Sequence, residues 1–241
     1  MTTPDTFGSL FAGIGGIDLG FERAGMTCKW QVEIDPYCQQ VLAKHWPHVR
    51  RHDDVRTWPQ PDTEYVDVIA AGFPCQDISY AGKGAGLAGE RSGLFYEVCR
   101  IAREMGPRFL VLENVAALLV RGMGDVLGSL ASLGYDAQWH CIPAAATGAP
   151  HIRDRVFIVA YPHSTRLPQR KRQNPGRTRT YRWTKPPRSC QWDAEPDVGR
   201  VAHGIPRRMD RIRGLGNAVV PQVAEFVAQQ LLRTTETHPR K

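Results

Sequence analysis

The residues best suited to chemistry in this sequence are one cysteine, three carboxylates and two arginines, each next to an apolar run. Cys75 comes after the apolar run 65–71 and directly after Gly72-Phe73-Pro74. Glycine and proline end a strand, and side chains at the carboxyl end of a buried parallel strand face the ligand crevice of an open α/β sheet. Cys75 is therefore a candidate nucleophile, with the alternative that it is a small buried apolar residue, as free cysteines often are.

The carboxylates stand at three further junctions between an apolar run and a loop. Glu33 lies at the end of the predicted strand 28–34, roughly 20 residues beyond a glycine-rich turn, where nucleotide-binding folds hold ribose hydroxyls. Asp54 lies at the next junction, and Glu113 follows the predicted strand 108–112. Glu33 and Asp54 could equally be helix caps or surface charges. Taken together, the positions predict an adenosine-containing ligand.

The two arginines, Arg153 and Arg155, lead into the predicted strand 156–160. Residues two apart in a strand point to the same face of the sheet. The pattern therefore predicts that both guanidinium groups converge on one anionic or polar target. Pairing with surface carboxylates is the alternative.

The spacing of apolar residues predicts the elements that position these groups. A strand over 7–11 runs into the glycine-rich turn 12–16, and helical spacing follows as far as Gly25. Such a turn lets the backbone approach a ligand closely, and the helix amino terminus offers unpaired N–H groups. Strands and helices alternate from there, which predicts an α/β fold. Further helices are predicted over 37–46, 94–105, 126–133 and 222–232, and a further strand over 135–142.

A glycine-rich segment, 79–93, follows the candidate nucleophile. It holds five glycines and almost no large apolar side chain, so it cannot pack firmly. A long loop without secondary structure beside a reactive thiol is typical of a lid that closes on a substrate.

Basic charge is concentrated in one region of the chain. The net charge is +7, but residues 151–213 carry sixteen Lys and Arg against five Asp and Glu, which leaves the remainder at −4. A concentrated basic segment predicts a polyanion partner, with a solvated charged segment as the alternative. Within it, Arg177, Arg179 and Arg182 alternate with Tyr181 and Trp183, a pattern that suits phosphate contacts combined with base stacking.

Length and composition limit the class of protein. The 241 residues can bury the core of one domain with a small appendage. No apolar run reaches the roughly 20 residues that span a bilayer, and no secretory signal begins the chain. The six cysteines form no C-x-x-C pair or metal-ligand spacing, which predicts reduced thiols and no metal site. We therefore expect a cytoplasmic protein, a monomer without an obligate protein partner.

The order of the motifs is more specific than any one of them. Phe11-Ala-Gly-Ile-Gly-Gly16, Glu33, Asp54, Gly72-Phe-Pro-Cys-Gln76, Glu113-Asn-Val115, Arg153-x-Arg155 and Gly216-Asn-Ala-Val-Val-Pro221 follow one another along the chain. In this order they resemble the motifs of the DNA (cytosine-5)-methyltransferase family. The resemblance covers nearly the whole chain apart from about residues 162–200.

The resemblance implies a Rossmann-like sheet, with S-adenosylmethionine as cofactor and double-stranded DNA as substrate. A thiolate adds to carbon 6 of a flipped-out cytosine, and carbon 5 then becomes the nucleophile that accepts the methyl group. Cys75 matches the thiol and Glu113 the acid that protonates ring nitrogen 3. Arg153 and Arg155 match the paired arginines, of which Arg155 is the stronger candidate for holding the cytosine O2.

The resemblance also implies the remaining site residues and the organisation of the chain. The cofactor residues are Phe11, Gly13, Ile14, Gly16, Glu33, Ile34, Asp54, Leu94, Asn217, Ala218 and Val219. The substrate residues are Phe73, Pro74, Gln76, Ser79, Arg177, Arg179 and Arg182. We expect a catalytic and cofactor-binding domain over 1–161, a short, mostly irregular target-recognition region over 162–203, and a C-terminal segment over 204–241 that packs back on the catalytic domain.

Two alternative functions remain at this point. A tRNA cytosine-5 methyltransferase would share this catalytic core, and the basic segment favours DNA only modestly. A DNA-binding protein that keeps the fold without turnover is the other alternative, although the complete set of Cys75, Glu113, Arg153 and Arg155 argues against it. A member of this family would belong to a restriction-modification system, or be an orphan or phage enzyme.

Overall fold

The fold is a twisted sheet with helices on both faces. The computed structural model describes residues 3–74, 93–165 and 208–236. The strands are β1 (Thr6–Leu10), β2 (Thr27–Val32), β3 (Arg50–His52), β4 (Val68–Gly72), β5 (Phe109–Val115), β6 (Tyr135–Pro143) and β7 (Asp154–Pro162). The helices are α1 (Gly16–Arg23), α2 (Pro36–His45), α3 (Gly93–Met105), α4 (Leu118–Arg121), α5 (Met123–Ser132), α6 (Arg208–Asn217) and α7 (Pro221–Glu236), with 3-10 turns at Val55–Thr57 and Ala144–Thr147.

The described strands form one sheet in the order β3-β2-β1-β4-β5-β7-β6. Neighbouring strands from β3 to β5 run parallel, whereas β7 is antiparallel to both β5 and β6. The chain leaves β1 toward one edge of the sheet and returns at β4 to build toward the other edge. Ligands bind in such sheets outside the carboxyl ends of the strands where the order reverses. The predicted α/β, Rossmann-like class is confirmed.

Successive side chains of the central strands point to opposite faces of the sheet and form two apolar layers. In β4, Val68 and Ala70 face one layer and Ile69 and Ala71 face the other, and all four are fully buried. One layer packs under α3 and α5, and the other under α1 and α7. Helix α7 comes so close to α1 that a Cβ added at Gly20 would lie 2.5 Å from the Cβ of Ala224. The C-terminal helix therefore lies directly on the first helix.

The start of α2 shows how the sequence sets a local boundary beside the site. The Asp35 carboxylate accepts hydrogen bonds from the backbone N–H groups of Tyr37 and Cys38, at 2.9 and 3.2 Å. Pro36 occupies the first turn, where its missing N–H costs nothing. The cap fixes the chain directly after Glu33 and Ile34.

Three differences between the predicted and the observed elements affect the residues of the site and its C-terminal wall. Strand β5 continues to Val115, so Glu113 and Asn114 lie inside the strand and not after it, because the ladder with β7 continues through both residues. Arg153 precedes β7 and has a left-handed backbone, with φ of 39°. Helix α6 was not predicted, since its glycine-containing sequence has no clear apolar period.

Most of the predicted recognition region lies outside the described residues. The structure describes 162–165 of it, and the C-terminal segment from Arg208 to Glu236. The boundaries of the three expected regions stay predictions. Within the described part of the chain, none of the helices has the length and apolar character needed to cross a membrane.

A buried carboxylate, Asp18, lies on α1 beneath the glycine-rich turn. Its side chain is fully buried and accepts hydrogen bonds from Gln31 Nε2 at 2.9 Å, Ser9 Oγ at 3.2 Å and, more weakly, Cys28 Sγ at 3.7 Å. Burial raises the pKa of Asp18 to about 6, against the lowering effect of these donors. Neutral donors from β1 and β2 therefore hold this helix to the sheet.

Asp18→Asn is expected to remove a pH dependence of stability. Burial raises the pKa of Asp18 in the folded chain from 3.8 to about 6. Between these two pH values the folded chain therefore keeps a proton on Asp18, whereas the unfolded chain has lost it. The free energy of unfolding of the natural chain, relative to D18N, should therefore fall by about 3 kcal/mol as pH rises through that window. Urea unfolding at several pH values measures it. The same change at the exposed Asp125 is the control, and parallel curves for the natural chain and D18N would contradict the expectation.

Candidate functional site

The site lies at the carboxyl ends of β1 and β4, where the strand order reverses. Phe11 follows β1, and Phe73 and Pro74 follow β4. In register, Leu10 of β1 lies opposite Ala71 of β4, so both chains leave the sheet side by side. Six of the predicted site residues lie outside the described residues: Cys75, Gln76, Ser79, Arg177, Arg179 and Arg182.

The chain that leads to Cys75 is fixed on two sides. The Phe73 ring is 3% exposed and packs against Phe95, with ring centroids 5.1 Å apart. The Asn114 side-chain amide donates a hydrogen bond of 3.0 Å to the Phe73 carbonyl. The sequence indicates no role for Asn114, although it belongs to the motif 113–115. Its hydrogen-bond partner lies 41 residues away in sequence, so local patterns could not indicate it. Asn114 fixes the backbone two residues before the candidate nucleophile.

Glu113 is the buried acid of the site. It is 7% exposed, and burial raises its pKa to about 7, against the opposing charges of Arg155 and Arg153. The Arg155 Nε lies 2.9 Å from Glu113 Oε1. This contact is an ion pair by distance, and Oε1 has no aligned hydrogen-bond donor among the described residues. A carboxyl group with a pKa near neutrality therefore lies on β5, opposite Gly72 of β4.

Gly72 lies between this acid and the residue that follows β1. A Cβ added at Gly72 would lie 3.4 Å from Glu113 Oε2 and 3.9 Å from the carbonyl oxygen of Phe11. Glu113 and Phe11 therefore lie close to the same end of β4.

The two arginines do not share one partner. Arg155 pairs with Glu113, whereas Arg153 Nη2 donates hydrogen bonds of 2.7 and 2.6 Å to the carbonyl oxygens of Gly216 and Ala218. The expectation of a common strand face is wrong, because Arg153 lies before β7 in a left-handed conformation. Both guanidinium groups still lie near enough to Glu113 to lower its pKa.

Glu33 comes directly after β2 and faces the glycine-rich turn. Its Oε2 accepts a 2.7 Å hydrogen bond from the Gly13 N–H, and its Oε1 accepts one of 2.8 Å from the Asp35 N–H. Burial raises the pKa of Glu33, against the effect of these donors. Ile34 beside it is 63% exposed, a large apolar side chain left open at the mouth of the crevice.

The C-terminal segment closes the other side of the turn. A Cβ added at Gly16 would lie 2.4 Å from the carbonyl oxygen of Val219, so only glycine permits this approach. A Cβ at Gly214 would lie 3.1 Å from Ile14 Cγ2. The structure therefore places Val219 against the turn, with Asn217 and Ala218 directly before it in the chain.

Asp54 has a local partner for both of its oxygens. It accepts hydrogen bonds from the Arg56 backbone N–H and from the Arg56 guanidinium, with Nη2 to Oδ2 at 2.7 Å. These bonds lower the pKa of Asp54. The carboxylate thus caps the 3-10 turn, which was one alternative from the sequence, and its contact with adenine stays a prediction.

Leu94, at the start of α3, is partly buried and packs against the core beside β4. Metal-ligating side chains are not clustered here: the described residues contain no group of three or more His, Cys, Asp and Glu that could hold a metal ion.

Comparison with known proteins gives consistent results. A family model described as C-5 cytosine-specific DNA methylase matches residues 6–191. The type II methyltransferase M.BsuFI of Bacillus subtilis is 38% identical over 160 residues, which are 65% of this chain and 39% of the relative. M2.BsuMI of Bacillus subtilis (strain 168) is 36% identical over 160 residues, 63% of this chain and 41% of the relative.

Solved structures agree on the fold. A crystal structure assigned as a DNA modification methyltransferase encoded within an E. coli prophage has a TM-score of 0.57 and 26% identity, over 68% of this chain and 48% of that chain. The Spodoptera frugiperda DNMT2 structure, at 20% identity and a TM-score of 0.58, shares the fold over 70% of this chain and 54% of that chain.

The matched part is about two fifths of the length of these curated relatives. Within this chain, however, the family model covers most of the residues, from the first strand into the basic segment. The resemblance in motif order, the sheet topology and the family model agree. The chain belongs to the C-5 cytosine-specific DNA methylase family.

Proposed function

We propose that this chain is an S-adenosylmethionine-dependent methyltransferase that methylates carbon 5 of a cytosine flipped out of duplex DNA. The observation that carries the proposal is the buried Glu113, which pairs with Arg155 and lies across the ladder from Gly72, three residues before Cys75. Covalent activation of a cytosine ring requires an acid, a cation and a thiol, and we assign these roles to Glu113, Arg155 and Cys75.

The residues around Glu113 have distinct roles on the base side of the crevice. Cys75 Sγ forms a bond to carbon 6 of cytosine, and the ring electrons move toward carbon 5 and nitrogen 3. Glu113 keeps a proton near neutral pH because burial raises its pKa to about 7. It donates this proton to nitrogen 3. Arg155, already beside Glu113, holds the cytosine O2. Once carbon 5 carries the methyl group that the cofactor would supply, its proton passes to solvent, the bond between Cys75 Sγ and carbon 6 breaks, and nitrogen 3 returns its proton to Glu113, which restores the aromatic base.

The residues on the turn side fit S-adenosylmethionine. The Glu33 carboxylate is fixed by two backbone N–H groups, a Cβ at Gly13 would meet no atom within 4 Å, and the exposed Ile34 offers an apolar face for adenine. When bound, the cofactor supplies a methyl group on a cationic sulfonium, which suits a crevice lined by carboxylates. Glu33 would bind the ribose, Asp54 the adenine amino group, and Phe11, Ile14, Gly16, Leu94 and the segment 217–219 would line the rest.

A specific sequence in duplex DNA is the proposed substrate. The family description names DNA, and the curated relatives are named type II methyltransferases. The tRNA alternative has no comparable support. Arg177, Arg179 and Arg182, outside the described residues, are the proposed phosphate contacts, and Phe73, Pro74, Gln76 and Ser79 the proposed contacts near the flipped base. A target base costs a few kcal/mol to unstack.

Transfer of labelled methyl from S-adenosylmethionine tests the proposal. Incorporation into duplex DNA of mixed sequence is expected, without incorporation into tRNA, and bisulfite sequencing of the product should place 5-methylcytosine in one short sequence. The matched substrate control is the same duplex with 5-methylcytosine at that position on both strands, which should accept no label. Label in tRNA alone, or cofactor binding without transfer to either substrate, would contradict the proposed activity.

A further inference from the structure

The chain between α6 and α7 forms a wall that combines apolar packing at Val219 with hydrogen bonds from a side chain far away in the sequence. This wall is the segment 214–219, which lies against the glycine-rich turn at Ile14 and Gly16. Its own backbone bonds are local: the Ala218 N–H donates to the carbonyls of Gly214 and Leu215, at 3.1 and 3.3 Å. Local bonds end the helix, but they do not attach it to the rest of the site.

Arg153 provides hydrogen bonds that attach the segment 214–219 to the chain before β7. Its Nη2 bridges the carbonyl oxygens of Gly216 and Ala218, at 2.7 and 2.6 Å, from 63 and 65 residues away in sequence. Charged donors form the stronger class of hydrogen bond, and two bonds from one nitrogen fix the direction of both carbonyls. The left-handed backbone at Arg153, with φ of 39°, is unfavourable for a residue with a side chain. The surrounding contacts outweigh that cost.

We propose that Arg153 is a positioning residue for the cofactor wall: it binds the segment 214–219 through two carbonyls and thereby holds Val219 against Gly16. Its partner in the motif, Arg155, acts on the other side of the site, where it pairs with Glu113. The two arginines are thus divided between cofactor and base. This proposal rests on the proposed function for the identity of the ligand, but its structural claim does not need turnover.

The division of roles has a direct consequence for binding. The Val219 backbone lies so close to the turn that a Cβ added at Gly16 would be 2.4 Å from its carbonyl oxygen. Loss of the hydrogen bonds to the carbonyls of 216 and 218 would leave apolar packing as the contact that holds Val219 there, so this wall of the cofactor crevice would loosen. The acid–arginine pair at Glu113 and Arg155 would stay in place, because β5 and β7 hold both residues by ladder bonds. We therefore expect a loss of cofactor affinity with little change in DNA affinity.

The test compares Arg153→Met, Arg153→Lys and Arg155→Met in the full chain. In R153M, backbone amides of residues 216–220 should exchange hydrogen about tenfold faster in the free protein, and calorimetry should give a Kd for S-adenosylmethionine about tenfold weaker, which is about 1.4 kcal/mol. In R153K, one ammonium donor replaces the bridging nitrogen, so both effects should be partly rescued. In turnover, R153M should raise KM for the cofactor and leave KM for DNA unchanged.

R155M is the matched control, since it removes the same charge two residues away. It should leave the exchange at 216–220 and the Kd for S-adenosylmethionine within twofold of the natural chain, while methyl transfer collapses. Unchanged exchange in R153M would overturn the proposal, as would a raised KM for DNA with an unchanged Kd for the cofactor. If the natural chain transfers no methyl group, the proposed function fails while the exchange and binding measurements still decide the role of Arg153.

Discussion

Replacement of Cys75 by serine is expected to lower methyl transfer to DNA by at least about 10³-fold and to abolish a covalent complex with the substrate. A thiolate forms readily near neutral pH and is strongly nucleophilic, whereas a serine hydroxyl ionises far less and has no base assigned to it in this site. Addition to carbon 6 is the step that makes carbon 5 reactive. Without it, neither Glu113 nor the cofactor residues can carry the reaction.

The structure supports this role through the residues that precede Cys75. The Phe73 ring is locked against Phe95, and Asn114 holds the Phe73 carbonyl at 3.0 Å. These two anchors fix the chain at Phe73, two residues before Cys75, which lies outside the described residues. Gly72 lies opposite Glu113 in the ladder, so the chain leaves β4 next to the acid.

Two measurements separate the nucleophile from a cysteine with a packing role. Duplex DNA with 5-fluorocytosine at the target position should form a denaturation-resistant complex with the natural chain and none with C75S. The control is C141S, which removes an exposed thiol of β6 and should leave both the complex and the rate unchanged. A covalent complex with C75S, or its absence in C141S, would place the nucleophile elsewhere.

Local patterns in the sequence are sufficient to predict most of the strand ends that build the crevice. The strand 7–11, the glycine-rich turn and the helix after it form one continuous segment, and the structure has β1 and α1 there. The same holds for the apolar run that ends at Ala71, because burial on both faces makes β4 a continuous apolar strand. Propensity and periodicity act over a few residues, and these elements depend on little else.

Contacts between distant segments could not be predicted in this way. The partners of Arg153 are backbone carbonyls more than 60 residues away, and backbone groups carry no signal in the sequence. Asn114 likewise acts on a carbonyl of another strand. The apolar run predicts a strand that ends at Leu112, with Glu113 after it; the structure keeps Glu113 inside β5, where the ladder with β7 continues past it. In each case a long-range contact outweighed a local rule.

Glu113→Gln is expected to lower kcat/KM for DNA by about 10²–10⁴-fold, the usual contribution of a positioned acid. Glutamine has nearly the same shape and can still form a hydrogen bond to the base, but it cannot release a proton to nitrogen 3. Because the residue is 7% exposed and the replacement is uncharged, DNA affinity should change little. Transfer of labelled methyl under limiting DNA, with DNA binding measured separately, distinguishes the two effects.

The pH dependence identifies the acid directly. Burial raises the pKa of Glu113 to about 7, so the proton-donating form is lost as pH rises through that value, and kcat/KM for DNA should decline above about pH 7. The E113Q profile should lack this decline.

Arg155→Met tests the direction of the pKa shift, since Arg155 lowers the pKa of Glu113. Removal of this guanidinium should move the decline in kcat/KM to higher pH, whatever its effect on the maximum rate.

The free energy of unfolding of the free protein should also depend on the titration of Glu113. The folded chain keeps a proton on Glu113 that the unfolded chain loses above pH 4.5, so the free energy of unfolding should fall between pH 4.5 and about 7 in the natural chain relative to E113Q. A decline in kcat/KM that survives unchanged in E113Q would assign the proton to another group, and a decline that moves to lower pH in R155M would contradict the pairing of Arg155 with Glu113.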